Sequence, residues 1–69
     1  MSNPKQSFKI FNIRYEYYEE LEETLLAKVT EYQRDNDLKF LTFGILSEYS
    51  NPKFENLRNA VIIAYFEQK

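Results

Sequence analysis

Apolar and polar positions recur along this chain with two different periods. In Phe8-Lys-Ile-Phe-Asn-Ile13, Phe8 and Ile10 fall on one side of an extended segment, and Phe11 and Ile13 fall on the other. That alternation predicts a first strand over 8–13, with Asn12 ending it or capping the next element. From about Tyr15 to Gln33 the spacing becomes helical. Tyr18, Leu21, Leu25, Val29 and Tyr32 recur three and four apart, and Tyr17 and Leu26 widen the stripe. The run Arg34-Asp-Asn-Asp37 predicts the helix stop, with Asn36 in the left-handed C-terminal position.

Two long apolar runs occupy the rest of the chain, Leu38-Lys-Phe-Leu-Thr-Phe-Gly-Ile-Leu46 and Ala60-Val-Ile-Ile-Ala-Tyr-Phe66. Both read as strands that are apolar on both faces. Gly44, the single glycine of the chain, sits inside the first. A lone glycine in a strand marks a bulge or a close backbone approach, and a bulge is the expectation here. Residues 50–59 form a loop opened by the turn signal Asn51-Pro52, too long for a tight hairpin. The order is β-α-β-β. Strands two and three form a hairpin, and strand one pairs either antiparallel with strand three or in parallel with strand two through a right-handed crossover. The antiparallel arrangement with strand three central is preferred, because its sequence is the most continuously apolar.

One helix covers one face of such a sheet. The other face, carried by Leu41, Phe43 and Ile45 or their neighbours of opposite parity, is expected to be buried by oligomerisation. The expected fold class is therefore α+β, a single β-α-β-β layer with a three-stranded sheet and one amphipathic helix. The domain spans 7–67, between a disordered lead-in over 1–6 and a tail over 68–69.

Composition sharpens this picture. A chain of 69 residues buries only about 60% of its unfolded surface and is marginal without a staple. It has no Cys and no His, so disulfides, thiolates and the commonest metal ligand are excluded. Oligomerisation remains as the staple. Neither a metal site nor a cofactor is expected. The segment 1–7 has no apolar leader core, and no apolar run approaches the roughly 20 residues of a membrane span. A cytoplasmic protein that does not engage membranes is the expectation.

Net charge is −2, which argues against binding duplex nucleic acid. Residues 16–31 hold six acids against one base, a net of −5. The remainder holds eight bases against five acids, a net of +3, which restores −2. The acids crowd the first turns of the helix, where they favour its dipole. An anionic ligand would avoid the helix and be tolerated by the sheet and its loops.

Catalysis is not expected. Without His or Cys it would rest on carboxylates, Tyr, Lys or a metal, and solvation or turn chemistry accounts for the acids. No Gly-rich phosphate loop is present. The candidate chemistry is binding, and it centres on the loop 50–59, where Lys53 and Arg58 flank Phe54 and Tyr49 just precedes them. Arg14 and Tyr15 join this ligand-binding set if strand direction brings them to the same end. Tyr and Phe would stack on a base, and Lys or Arg would hold phosphate.

The segments Lys9-Ile-Phe-Asn12 and Glu19-Glu-Leu-Glu-Glu23, together with the hairpin 38–66, resemble the very small sporulation-associated proteins of spore-forming bacteria and their phages. The resemblance implies a strand, an acidic helix and a hairpin, and carries no established chemistry. The size class is also similar to phage counter-defence proteins. Some of those are oligomeric sponges that bind immune signalling nucleotides without hydrolysing them, and others cover a host protein. The implied partners are a second copy of the chain, a small anionic nucleotide or a host protein.

Overall fold

A computed structural model describes residues 5–69. Its elements are β1 (Gln6–Tyr15), α1 (Tyr18–Asn36), β2 (Leu38–Ser50) and β3 (Arg58–Gln68). The fold is α+β, one helix on a three-stranded antiparallel sheet of order β1-β3-β2. Strand three is central, as its apolar sequence predicts. Both ends of the sheet extend slightly past the expected bounds. Gln6 opens β1, Gln68 closes β3, and the Gln68 amide donates to the Lys5 carbonyl at 3.0 Å. The rest of the expected lead-in, residues 1–4, lies outside the described residues. No helix among the described residues is long and apolar enough to cross a membrane.

Helix α1 starts without a side-chain cap at Tyr17, but the Glu16 amide donates to Glu20 Oε2 at 3.2 Å. Glu19 and Glu20 lie in the first turn and Arg34 in the last, the charge order that the helix dipole favours. The left-handed position at its end is Asp37, with φ 51° and ψ 53°, and not Asn36. Asn36 completes the last turn instead, and its Nδ2 donates to the Tyr32 carbonyl at 3.0 Å. Asp tolerates this conformation because its short polar side chain can satisfy nearby backbone.

The helix buries Leu21, Leu25 and Val29 against Ile13 and Tyr15 of β1, Leu38 of β2, and Ala60, Ile62, Ala64 and Phe66 of β3. Phe66 is fully buried, with its ring 4.9 Å from that of Tyr32 and 5.8 Å from that of Phe40.

The register assigns every paired strand residue a face. Opposite residues in an antiparallel pair project to the same side. Strand β1 pairs with β3 without interruption, from Gln6 opposite Glu67 to Tyr15 opposite Arg58. Strand β2 pairs with β3 through two register shifts, one between Phe40 and Thr42 and one between Ile45 and Ser47. The extra residues at these bulges are Leu41 and Leu46. Each bulge resets the parity, so Leu38, Phe40, Phe43, Ile45 and Glu48 all share the helix's side. The open side of β2 receives Lys39, Thr42, Gly44, Ser47 and Tyr49.

Three expectations are thereby corrected. The bulges lie at Leu41 and Leu46, and Gly44 pairs regularly opposite Ile63. Strand β2 is not apolar on both faces, because each doubled apolar step, Phe40-Leu41 and Ile45-Leu46, is spent on a bulge. Phe43 and Ile45 lie on the helix side, yet stay 47% and 48% exposed because α1 does not reach over them. The apolar part of the open face belongs to the other two strands: Phe8 and Ile10 of β1, and Val61, Ile63 and Tyr65 of β3.

Candidate functional site

The connection between β2 and β3 spans residues 51–57 and is organised by one side chain. Oδ1 of Asn51 accepts from the amides of Lys53 and Phe54, at 2.9 and 3.1 Å, forming an Asx turn that Pro52 cannot unwind. The Asn51 amide donates to the Leu57 carbonyl at 3.0 Å, and the Leu57 amide donates to the Phe54 carbonyl at 3.0 Å. Asn51 Nδ2 then donates to Asn59 Oδ1 at 2.9 Å. Asn59 Nδ2 donates to Asn12 Oδ1 at 3.0 Å, and Asn12 Nδ2 donates to the Tyr49 hydroxyl at 3.0 Å. This chain of three asparagines and a tyrosine ties the loop to all three strands. Asn12 and Asn59 each donate once and accept once within it, which leaves each a spare N–H and a spare lone pair.

Antiparallel pairing brings the end of β1 beside the start of β3, with Arg14 opposite Asn59 and Tyr15 opposite Arg58. Strand direction therefore gathers Arg14 and Tyr15 at the loop end, with Tyr49 opposite Asn59 on the other flank. The sheet nevertheless divides the six candidate residues. Arg14 and Tyr49 lie on the open side, with the Arg14 guanidinium 5.8 Å from the Phe54 ring centroid. Tyr15 and Arg58 lie on the helix side. Lys53 shapes the loop through its backbone amide.

The two sides differ in charge. On the helix side, the buried Tyr15 hydroxyl donates to Glu48 Oε1 at 2.7 Å, and the Tyr18 hydroxyl donates to the same oxygen at 3.4 Å. The Tyr15 and Tyr18 rings lie 5.7 Å apart. Burial raises the Tyr15 phenol above its ordinary value, and the Glu48 carboxylate adds to this, while Arg58 pulls it back. The acidic first turn of α1, with Glu19 and Glu20, rises from the same end. On the open side the Arg14 guanidinium lies over the Phe54 ring, and Asn12, Asn59 and Tyr49 share that side of the sheet.

Two concavities lie elsewhere. One of about 210 Å³ is lined by Phe11, Lys28, Glu31, Tyr32 and Asp35. The other, of about 200 Å³ and largely apolar, lies between α1 and β2 and is lined by Glu22, Leu25, Leu26, Val29, Phe40 and Phe43. Neither contains a residue singled out for ligand binding from the sequence.

Sequence reading missed the asparagine chain. Asn12, Asn51 and Asn59 register in the sequence only as strand-end and turn residues, and nothing in their spacing shows that they meet across three strands. No protein-family model, curated protein or solved structure matches this chain.

Proposed function

We propose that the protein acts by binding, without chemistry, and that it sequesters a small anion bearing an aromatic base, such as a signalling nucleotide. The observation that supports this reading is the guanidinium of Arg14 held over the Phe54 ring, on the same side as Tyr49 and the asparagine chain. A guanidinium offers a fork of donors to phosphate. A neighbouring ring offers a stacking surface that any base accepts. The spare N–H groups of Asn12 and Asn59 would meet polar edges of the same ligand. Lys53 and Arg58 add long-range attraction at this end. A thermal-shift screen against cyclic and linear nucleotides tests the reading. Stabilisation by one nucleotide class, lost in Arg14→Ala, is the expected result, and no shift with any nucleotide would refute it.

A second reading is that the protein occludes a host protein. The observation that favours it is the apolar concavity between α1 and β2, with Leu26 and Phe43 exposed at its rim and Glu22 beside them. A basic amphipathic segment suits that chemistry. Leu26→Lys would then release a captured partner and leave nucleotide binding untouched.

A further inference from the structure

Gly44 has no reason within its own chain to be glycine. Its φ is not positive, and it pairs regularly opposite Ile63. A Cβ added there would meet only Ile63 Cγ2, at an ordinary 3.8 Å. Glycine weakens a strand interior, so a residue with a side chain would serve the isolated subunit better. What glycine preserves is a low point on the open face.

The register shows the shape around it. Thr42, Gly44 and Ser47 line β2 with small side chains. Opposite them, β1 raises Phe8 and Ile10, which are 59% and 48% exposed, and Tyr65 of β3 is 42% exposed beside them. The open face is thus a ridge along β1 and a trough along β2, with β3 between. Cross-strand rows set the correspondence: Ile10, Ile63 and Gly44 form one row, and Phe8, Tyr65 and Thr42 form the next.

We infer that the open face is the interface of a two-fold dimer, in which the β1 ridge of each copy fills the β2 trough of the other at Gly44. A two-fold axis along β3, between stacked sheets, lays each β1 over the opposing β2 and keeps the rows level. Ile10 then covers Gly44 of the partner subunit, and Phe8 covers Thr42 of the partner subunit. Sheets packed about 10 Å apart, with strands within about 30° of alignment, accommodate this arrangement.

Charge and area point to a second copy as the occupant. Among the described strand residues, the open face carries only Arg14, Lys39 and Glu67 as charged residues, and Lys39 and Glu67 offset each other at 4.0 Å. It therefore offers little to select an acidic or basic partner. Pairing through the helices would instead set one net charge of −5 against another. Ten paired residues span about 34 Å, and three strands about 14 Å, so two copies cover roughly 1,000 Å² even in flat projection. That reaches the lower bound of about 1,000 Å² for a specific interface, before side-chain relief is added.

The ligand reading places its residues at the loop end of this same face, so the dimer is tested on its own, by sedimentation equilibrium at micromolar protein with no nucleotide present. The expected mass is twice 8.4 kDa. Gly44→Val fills the trough at a site where a Cβ meets only an ordinary contact, so it should keep a folded circular dichroism spectrum and raise the dimer dissociation constant at least about tenfold. Ile10→Lys, at an exposed position of the ridge, should do the same. Leu26→Lys, on the helix away from this face, should leave the dimer intact. A wild-type mass of 8.4 kDa would overturn the inference. So would undiminished dimerisation of both face variants, or a dimer dissociated by Leu26→Lys alone, which would move the interface to the α1–β2 concavity.

Discussion

The phenol of Tyr15 and the carboxylate of Glu48 are joined by a 2.7 Å hydrogen bond, although 33 positions separate them in sequence. The bond fastens the end of β1 to the end of β2 across the central strand, on the side the helix covers. Its donor is buried and its acceptor is exposed. Tyr15→Phe keeps the ring and removes the bond, so it should lower stability by about 1 kcal/mol, as read from urea midpoints.

The same bond carries a pH dependence. Burial, then Glu48, raises the folded-state phenol above its unfolded value of about 10. A raised folded value means that this contribution is fully present below about pH 10 and is lost as pH climbs through the folded value. The urea midpoint of the parent should therefore fall above about pH 10 more steeply than that of Tyr15→Phe. Parallel curves would place the titration elsewhere.

Asn51 holds the loop by both ends of its side chain. Asn51→Ala removes the acceptor for the Lys53 and Phe54 amides and the donor to Asn59, and should cost about 1–2 kcal/mol. Asn51→Asp keeps the Asx turn and loses only the donor. Amide exchange separates the two: protection at Lys53 and Phe54 should vanish in the first variant and persist in the second, while the β1–β3 ladder stays protected in both.

Much of this architecture is legible in the sequence because burial imposes it. The stripe Leu21, Leu25, Val29 reads directly as the buried side of α1, and the continuous run of β3 marks it as central because it alone has strands on both sides. The faces of β2 are not legible from a period of two. Leu38, Phe40, Phe43 and Ile45 are spaced two, three and two apart, and only pairing with β3 reveals that the longer step is a bulge. The helix stop falls one residue beyond its expected place because Asn and Asp both tolerate the left-handed conformation. At the loop end, the bases and rings are visible in the sequence as a cluster, but their division between two sides of the sheet comes from register, which the sequence does not state.

The bulges make a further expectation about deletions. Removing Leu46 places Ser47 directly after Ile45, and both already pair with consecutive residues of β3, Ile62 and Val61. The chain should therefore keep its fold and its faces. Removing Gly44 instead shifts one flank of β2 by a residue, turning apolar side chains to the wrong side. Thermal melts recorded by circular dichroism should show a cooperative transition for the first deletion and its loss for the second.

The core centres on one ring. Phe66→Ala removes the fully buried side chain that Tyr32 and Phe40 pack against, a loss of about 3–5 kcal/mol. A chain of this length has roughly 3–10 kcal/mol in total. The variant should populate the unfolded state at room temperature, visible as lost dispersion in a proton–nitrogen correlation spectrum.

Irregularity along β2 also governs how the sheet can grow at its rims. Both outer strands present unpaired backbone groups, and such rims can recruit further chains without limit when each offers a straight ladder. Here only β1 is straight, since β2 is interrupted at Leu41 and again at Leu46. A newcomer pairing with β1 through its own β1 closes a symmetric pair and leaves no second straight rim for the next to join. Growth of the sheet along its backbone is thereby disfavoured, because the two extra leucines leave it one straight rim where growth without limit needs two.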